Sequence, residues 1–320
     1  MAHYGFEQKS FQDNKVRFLF VLNFLVVVYV WAIFLSPEHG GFYPDKSHTD
    51  LLIDFINIGQ GDSILVRTPR GKNFLIDGGT NVPATQARSQ NRELVQGYLR
   101  KTGVKRIDGI VVTHPHNDHL GGIIQVLKQF KVKKVWENGV VFNTVTYKDY
   151  VEICEKKRVP REVVKSGDIL DWGDELFVEV LHPNQPLKPR DLSNTEMNNS
   201  SVALFLRFGL FSILFPGDVE EASEMEISKY GKDLKCQVIK VPHHGSSTSI
   251  FKTFLNFVSP EAGVIQVGKD NPFRHPTREM LELYQERGIR VWRNDRHGTV
   301  RLTVGGKDPK DFNFMVDRGL

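Results

Sequence analysis

From about residue 50 onward the chain alternates short apolar runs with polar breaks, the pattern of buried or half-buried strands. Leu52–Ile58, Ser63–Arg67, Asn73–Asp77 and Ile107–Val112 form a first set, with a polar helical stretch around Ser89–Lys101 among them. Leu176–Leu181, Val202–Phe208, Phe211–Phe215, Gln237–Val241, Ala262–Val267 and Arg290–Arg293 form a second, interleaved with helical stretches near Val219–Lys229, Ile250–Phe257 and Thr277–Arg287. Two similar strand-rich halves, each closing with helices, predict an α/β fold of two sheets packed face to face with helices outside.

A different pattern occupies the N-terminus. Phe18–Leu35, "FLFVLNFLVVVYVWAIFL", carries no charge, and as a helix it reaches roughly 27 Å, close to the thickness of a bilayer core. Tyr29 and Trp31 sit near its outer end, Lys9, Lys15 and Arg17 precede it, and Glu38 and Asp45 follow. That asymmetry predicts a single membrane-spanning helix with residues 1–17 cytoplasmic and the bulk of the chain outside the cytoplasm. "FLSPEHGG" offers no small-x-small cleavage site, which favours an uncleaved anchor. A Pro/Gly/His-rich linker at 36–49 would lead to one domain at 50–305 and a C-terminal tail at 306–320.

Composition changes this picture little. With 320 residues, 40% of them hydrophobic, the chain can bury a full core. A net charge of +4 is too small to argue for a nucleic-acid partner. Cys154 and Cys236 lie far apart without Cys-x-x-Cys spacing, so neither a disulfide framework nor a thiolate zinc site is indicated.

The chemistry collects where strands stop. Asp77 closes "FLIDGG", His114, His116, Asp118 and His119 follow Val112 in "THPHNDHLGG", Asp218 closes "ILFPGD", and His243 and His244 lie in "VIKVPHHGSS". Either aspartate alone would read as a turn. Four such clusters, each ending a buried strand, are placed to converge on one edge of the sandwich.

These residues carry a resemblance. The His-x-His-x-Asp-His spacing with an earlier "DGG", a later "GD" and a still later "HHGS" resembles the metallo-β-lactamase fold superfamily of metallohydrolases, which implies a four-layer αββα sandwich. "FINIGQGDSILVRTPRGKNFLIDGG", "IVVTHPHNDHLGG", "VPHHGSSTS" and "HPTREMLELYQERGIRVWRNDRHGTVRL" are similar to the hydrolase domain of the ComEC/Rec2 competence-protein family, over about Leu51–Leu302. That family's multi-span channel has no counterpart in these 320 residues, where one predicted span precedes the domain.

Imidazoles and carboxylates together suit a borderline divalent metal such as zinc. His114 and His116 alternate on one side of an extended turn and can share one ion. Asp118 and His119, entering a helix at Leu120–Phe130, can turn to a second. Asp218 has the reach to bridge both, and His243 would complete the second site, with His244 either orienting a ligand or binding in its place. Asp77 is expected to orient a metal-bound histidine. Two divalent ions would favour hydrolytic displacement at phosphorus or carbonyl, with Asp118 among the catalytic groups.

Many superfamily members place a further histidine between the main cluster and the bridging aspartate, where this chain reads "MNNSSVALF". Asn198 and Ser201 match the ComEC-type pattern there, implying a first site short of nitrogen, open to water or substrate and tolerant of Mn2+ as well as Zn2+. His182, in "VLHPN", reads as a structural turn rather than a ligand. In "VGKDNPFRHP" the family pattern implies that His275 could protonate a leaving oxygen and that Asn271 or Lys269 could hold a phosphate, the alternative being that they cap the loop. Ser246 could likewise donate to a phosphate or cap the turn.

The expected function is an extracytoplasmic, membrane-anchored metal-dependent phosphodiesterase or nuclease, acting on nucleic acid or another phosphodiester and linked to DNA uptake. The alternatives are a small-phosphodiester esterase and a non-catalytic DNA-binding component of an uptake or envelope assembly. The missing middle histidine argues against β-lactam hydrolysis.

Overall fold

The computed structural model describes residues 49–82, 86, 93–173, 175–185 and 192–317. The span expected at 18–35 lies outside them, as does the start of the helical stretch expected at 89–101. Among the described residues no helix is long and apolar enough to cross a membrane.

The strands, in chain order, are β1 (Leu51–Phe55), β2 (Ile64–Arg67), β3 (Asn73–Ile76), β4 (Arg106–Ile107), β5 (Gly109–Val112), β6 (Lys131–Val132), β7 (Val135–Glu137), β8 (Arg161–Val163), β9 (Phe177–His182), β10 (Ala203–Phe208), β11 (Phe211–Phe215), β12 (Val238–Lys240), β13 (Ala262–Ile265), β14 (Arg290–Arg293), β15 (Thr299–Val304) and β16 (Phe312–Asp317). Among the described residues they form one sheet of eight, ordered β16-β15-β1-β2-β3-β5-β7-β8, one of six, ordered β14-β13-β12-β11-β10-β9, and a short β4–β6 pair.

The two halves repeat one plan. β1, β2 and β3 pair antiparallel, then β5, β7 and β8 continue in parallel. β9, β10 and β11 pair antiparallel, then β12, β13 and β14 continue in parallel.

Period-two alternation explains the layering. Leu204 and Leu206 of β10, with Ile213 of β11 and Val238 of β12, meet Ile53, Val66 and Phe74 of the larger sheet in a core between the sheets. Their strand neighbours Phe205, Leu214 and Ile239 turn outward to Phe254, Leu255, Met280 and Leu283 of the Lys252–Val258 and Arg278–Glu286 helices. Strands apolar on both faces belong inside a layered α/β fold. Beside the larger sheet the Val95–Lys101, Asn117–Gln129 and Val145–Lys157 helices pack in a row.

Two features depart from expectation. The Val145–Lys157 helix carries little apolar periodicity, and Tyr147, Tyr150 and Cys154 supply its buried face. The expected tail at 306–320 contains β16, which pairs with β15 along its whole length as an edge strand. β15 in turn is tied to β1 by a buried ion group in which Arg301 Nε and Nη2 donate to the two Asp54 oxygens at 2.5 and 2.9 Å, and Arg67 adds a third bond at 3.1 Å.

Candidate metal centre

The repeated plan places the chemistry. Asp77 and the His114–His119 run follow β3 and β5, and Asp218 and His243–His244 follow β11 and β12. These are the carboxyl ends of the strands at which each sheet changes from antiparallel to parallel, and a crevice at such a reversal is the natural ligand site of an open α/β sheet.

Backbone contacts hold the loops together. Gly78 N–H donates to His119 O at 2.7 Å and Gly122 N–H to Gly79 O at 2.7 Å. A Cβ on Gly122 would fall 2.0 Å from Gly78 O, so glycine is what allows the Asn117–Gln129 helix to close on the strand end.

Asp77 orients two histidines at once. Its Oδ2 accepts from His119 Nδ1 at 2.8 Å and from Thr113 Oγ1 at 2.7 Å, while Oδ1 accepts from Thr113 N at 2.8 Å. With the Thr113 hydroxyl proton committed to Asp77, its oxygen can accept from His114 Nδ1, 3.1 Å away, which leaves His114 Nε2 bare. Burial, then the charge of His119, holds His114 well below its ordinary pKa, so it is neutral and its lone pair is free.

Two adjacent donor groups result. His114 Nε2 and His116 Nδ1 lie 3.0 Å apart, and Asn198 lines the same cleft as His116. Beside them, Asp218 Oδ2 is 3.1 Å from both His119 Nε2 and His244 Nε2, and Asp118 Oδ2 is 3.4 Å from His244 Nε2 and 4.0 Å from His119 Nε2. Ligands at ~2.0–2.1 Å around a tetrahedral ion stand about 3.4 Å from one another, so this spacing fits a divalent metal. The orientation of His244 agrees: its Nε2 is buried and makes no well-aligned hydrogen bond despite two carboxylates in reach, as expected of a nitrogen aimed between them. Burial alone would lower His119 and His244, but Asp218 and the other carboxylates outweigh it and hold both rings well above their ordinary values. Protons stand there in place of cationic charge, and divalent ions would displace them.

His244 therefore takes the place expected of His243. Both residues have left-handed backbones, φ 45° and 54°, and His244 Nδ1 donates to Gln266 O at 2.9 Å, which turns its Nε2 inward. His243 faces the cleft mouth instead, with Nε2 3.3 Å from Asn198 Nδ2 and Nδ1 3.0 Å from Thr248 Oγ1.

Several expected substrate contacts are corrected. Ser201 is fully buried and acts as a strap, its Oγ accepting from Asp218 N at 3.1 Å and lying 3.2 Å from His114 Nδ1. Ser246 accepts from Thr248 N–H within its own turn and does not line the cleft. Lys269 is exposed outside the cleft wall. Asn271 braces its loop, its amide donating to Gly268 O at 3.0 Å and His275 O at 2.7 Å while accepting from His275 N. His275 does line the cleft, where burial and then the charges of His243 and His244 push it down to about 4. His182 bonds Ser201 O at 3.0 Å and stays outside the donor groups. Asn198 lines the cleft as expected and donates to Glu220 Oε1 at 2.8 Å.

Two residues had no mark in the sequence. Lys240, inside the apolar run of β12, is buried with its Nζ on Asp62 Oδ2, Asp218 Oδ1 at 3.1 Å and Gly217 O at 2.9 Å. Asp62 lies in "GQGDS", and its Oδ1 sits 3.4 Å from His244 Nδ1. Only its place within a family-like run could have drawn attention to it.

Of the donors, His116, Asp118, Asp218 and His244 line a cleft of about 470 Å³, with His114 and His119 buried behind them, and its walls include Gln60, Asn194, Thr195, Glu220, Phe273 and His275. The family described as the metallo-beta-lactamase superfamily matches residues 56–269. ComE operon protein 3 of Bacillus subtilis (strain 168) is 34% identical over 259 residues, covering 78% of this chain and 32% of that protein. Competence protein ComA of Neisseria gonorrhoeae is 30% identical over 277 residues, covering 86% and 36%. The chain thus spans about a third of the length of these curated relatives. Among solved structures, a mutant of the CmlA beta-hydroxylase shares the fold at a TM-score of 0.51 and 14% identity, covering 80% of this chain and 54% of that one. With its repeated sheets, its histidine–aspartate centre and a family match over most of its length, the chain belongs to the metallo-beta-lactamase superfamily and, within it, is similar to the ComEC/Rec2 competence proteins.

Proposed function

We propose that the chain is a membrane-anchored, extracytoplasmic phosphodiesterase, a nuclease linked to DNA uptake, that works with two Zn2+ or Mn2+ ions. The observation that carries this reading is the four-atom group of Asp118 Oδ2, His119 Nε2, Asp218 Oδ2 and His244 Nε2, three of whose residues, Asp118, Asp218 and His244, line an open cleft, with His114 and His116 beside it. Divalent ions held by these residues would supply Lewis acidity to a phosphodiester and its attacking water. Asp77 fixes the histidine tautomers, Lys240 fixes which Asp218 oxygen faces the donors, and Asn198 leaves the first group open on its cleft side. Relatives named for competence and recombination favour DNA as the substrate. The uncharged run at 18–35, with Lys9, Lys15 and Arg17 before it, favours anchoring with the catalytic unit outside the cytoplasm.

The test uses the full chain in detergent, loaded with zinc or manganese and given labelled single-stranded DNA, RNA and a chromogenic phosphodiester. Cleavage that disappears in Asp118→Asn is expected. An equal rate in that variant would sink the reading, and DNA binding without cleavage under either metal would make the chain an accessory protein.

A further inference from the structure

We propose that Phe273 is a stacking surface for a nucleobase neighbouring the scissile phosphate, so that the cleft takes single-stranded nucleic acid in preference to small phosphodiesters. This rests on the phosphodiesterase reading and gives it a substrate class.

Phe273 is 60% exposed although it lines the cleft. It stands on a loop that the Asn271 side chain braces at both ends, so the ring is displayed on a fixed support. A planar ligand covering it would recover burial the folded chain forgoes.

The ring also belongs to a series. Phe273 stacks on His275 with centroids 5.9 Å apart and planes 18° apart. His275 meets His243 at 5.6 Å, and His243 meets the donor His244 at 6.1 Å. One wall of the cleft is thus a ladder of rings from solvent down to the donor floor. A phosphate held at the floor would leave its neighbouring base beside the upper rungs.

The charge of the described lining favours stacking over a phosphate clamp. Among the described residues the cleft is lined by no Lys or Arg; apart from its histidines, the ionisable groups in its lining are Asp118, Asp218 and Glu220. Among the described residues its lining offers no Lys or Arg to clamp further phosphates, whereas stacking holds a single strand without one and tolerates any base.

The experiment compares kcat/KM of metal-loaded wild type, Phe273→Ala and Phe273→Trp on an oligothymidylate and on the same backbone with abasic residues flanking the cleaved bond. Phe273→Ala should lose roughly 5- to 100-fold on the base-bearing strand and stay at wild-type level on the abasic one, while Phe273→Trp keeps both. An equal effect of Phe273→Ala on the two strands, or none on either, overturns the proposal. If wild type cleaves neither strand with zinc or manganese, the phosphodiesterase reading fails and Kd for the labelled oligothymidylate decides the platform: a weaker Kd in Phe273→Ala supports it and equal values overturn it.

Discussion

Lys240 Nζ sits 3.1 Å from Asp218 Oδ1, with both side chains no more than 3% exposed, and so leaves Oδ2 as the oxygen that faces His119 and His244. The ammonium also pairs with Asp62, tying one cation between two carboxylates. Removing one partner of a buried ion group leaves charge uncompensated at a cost of about 3–5 kcal/mol. Lys240→Met is therefore expected to lower Tm and to weaken metal binding by roughly 10–100-fold, read by calorimetric titration. Asp62→Asn added to Lys240→Met should restore part of the Tm. A folded Lys240→Met protein with wild-type metal affinity would show that the lysine plays no part in the centre.

His244 and His243 separate by metal content. After dialysis, His244→Ala should retain fewer ions per chain than wild type by elemental analysis, because its Nε2 sits among the Asp118 and Asp218 oxygens. His243→Ala should retain the wild-type number, since its ring nitrogens face Asn198 and Thr248. The opposite pattern would return His243 to the ligand set.

Asp77→Asn tests orientation from behind the ligands. An amide nitrogen cannot accept from both His119 Nδ1 and Thr113 Oγ1 as Oδ2 does. Metal affinity should fall by about 10–100-fold with the fold intact by circular dichroism. Unchanged affinity would reduce Asp77 to a turn residue.

Glu224 gives a pH prediction away from the cleft. Burial raises its carboxyl from 4.5 to about 8, although the Phe251 N–H donates to it. The folded chain then holds that proton more tightly than the unfolded one, so stability falls as pH rises from about 4.5 to about 8 and the penalty is complete above that. Glu224→Gln keeps an acceptor for Phe251 without the charge. It should raise stability by on the order of 1–3 kcal/mol at pH 8.5 and by little near pH 4. A gain independent of pH in thermal melts would rule this out.

Much of the site was legible because its residues end apolar strands. Period-two runs fix strands from local sequence, and Asp77, His114, His116, Asp118, His119 and Asp218 each follow such a run, so their gathering at one sheet edge follows from the topology of the two halves. The edge strand β16 escaped because its residues stay partly exposed and its partner strand, not its own pattern, orders it.

What the sequence alone determined was which kinds of side chain meet and at which strand ends, since hydrophobic alternation and spacing are properties of neighbours along the chain. The tertiary structure decided between adjacent His243 and His244, through two left-handed residues and the Gln266 carbonyl on the next strand end. It also brought Asp62 and Lys240 together from opposite halves, emptied Ser201, Ser246 and Asn271 of substrate roles by engaging their polar atoms, and left Phe273 uncovered. Such choices depend on through-space distances of a few ångströms between segments remote in sequence, and no local pattern encodes them.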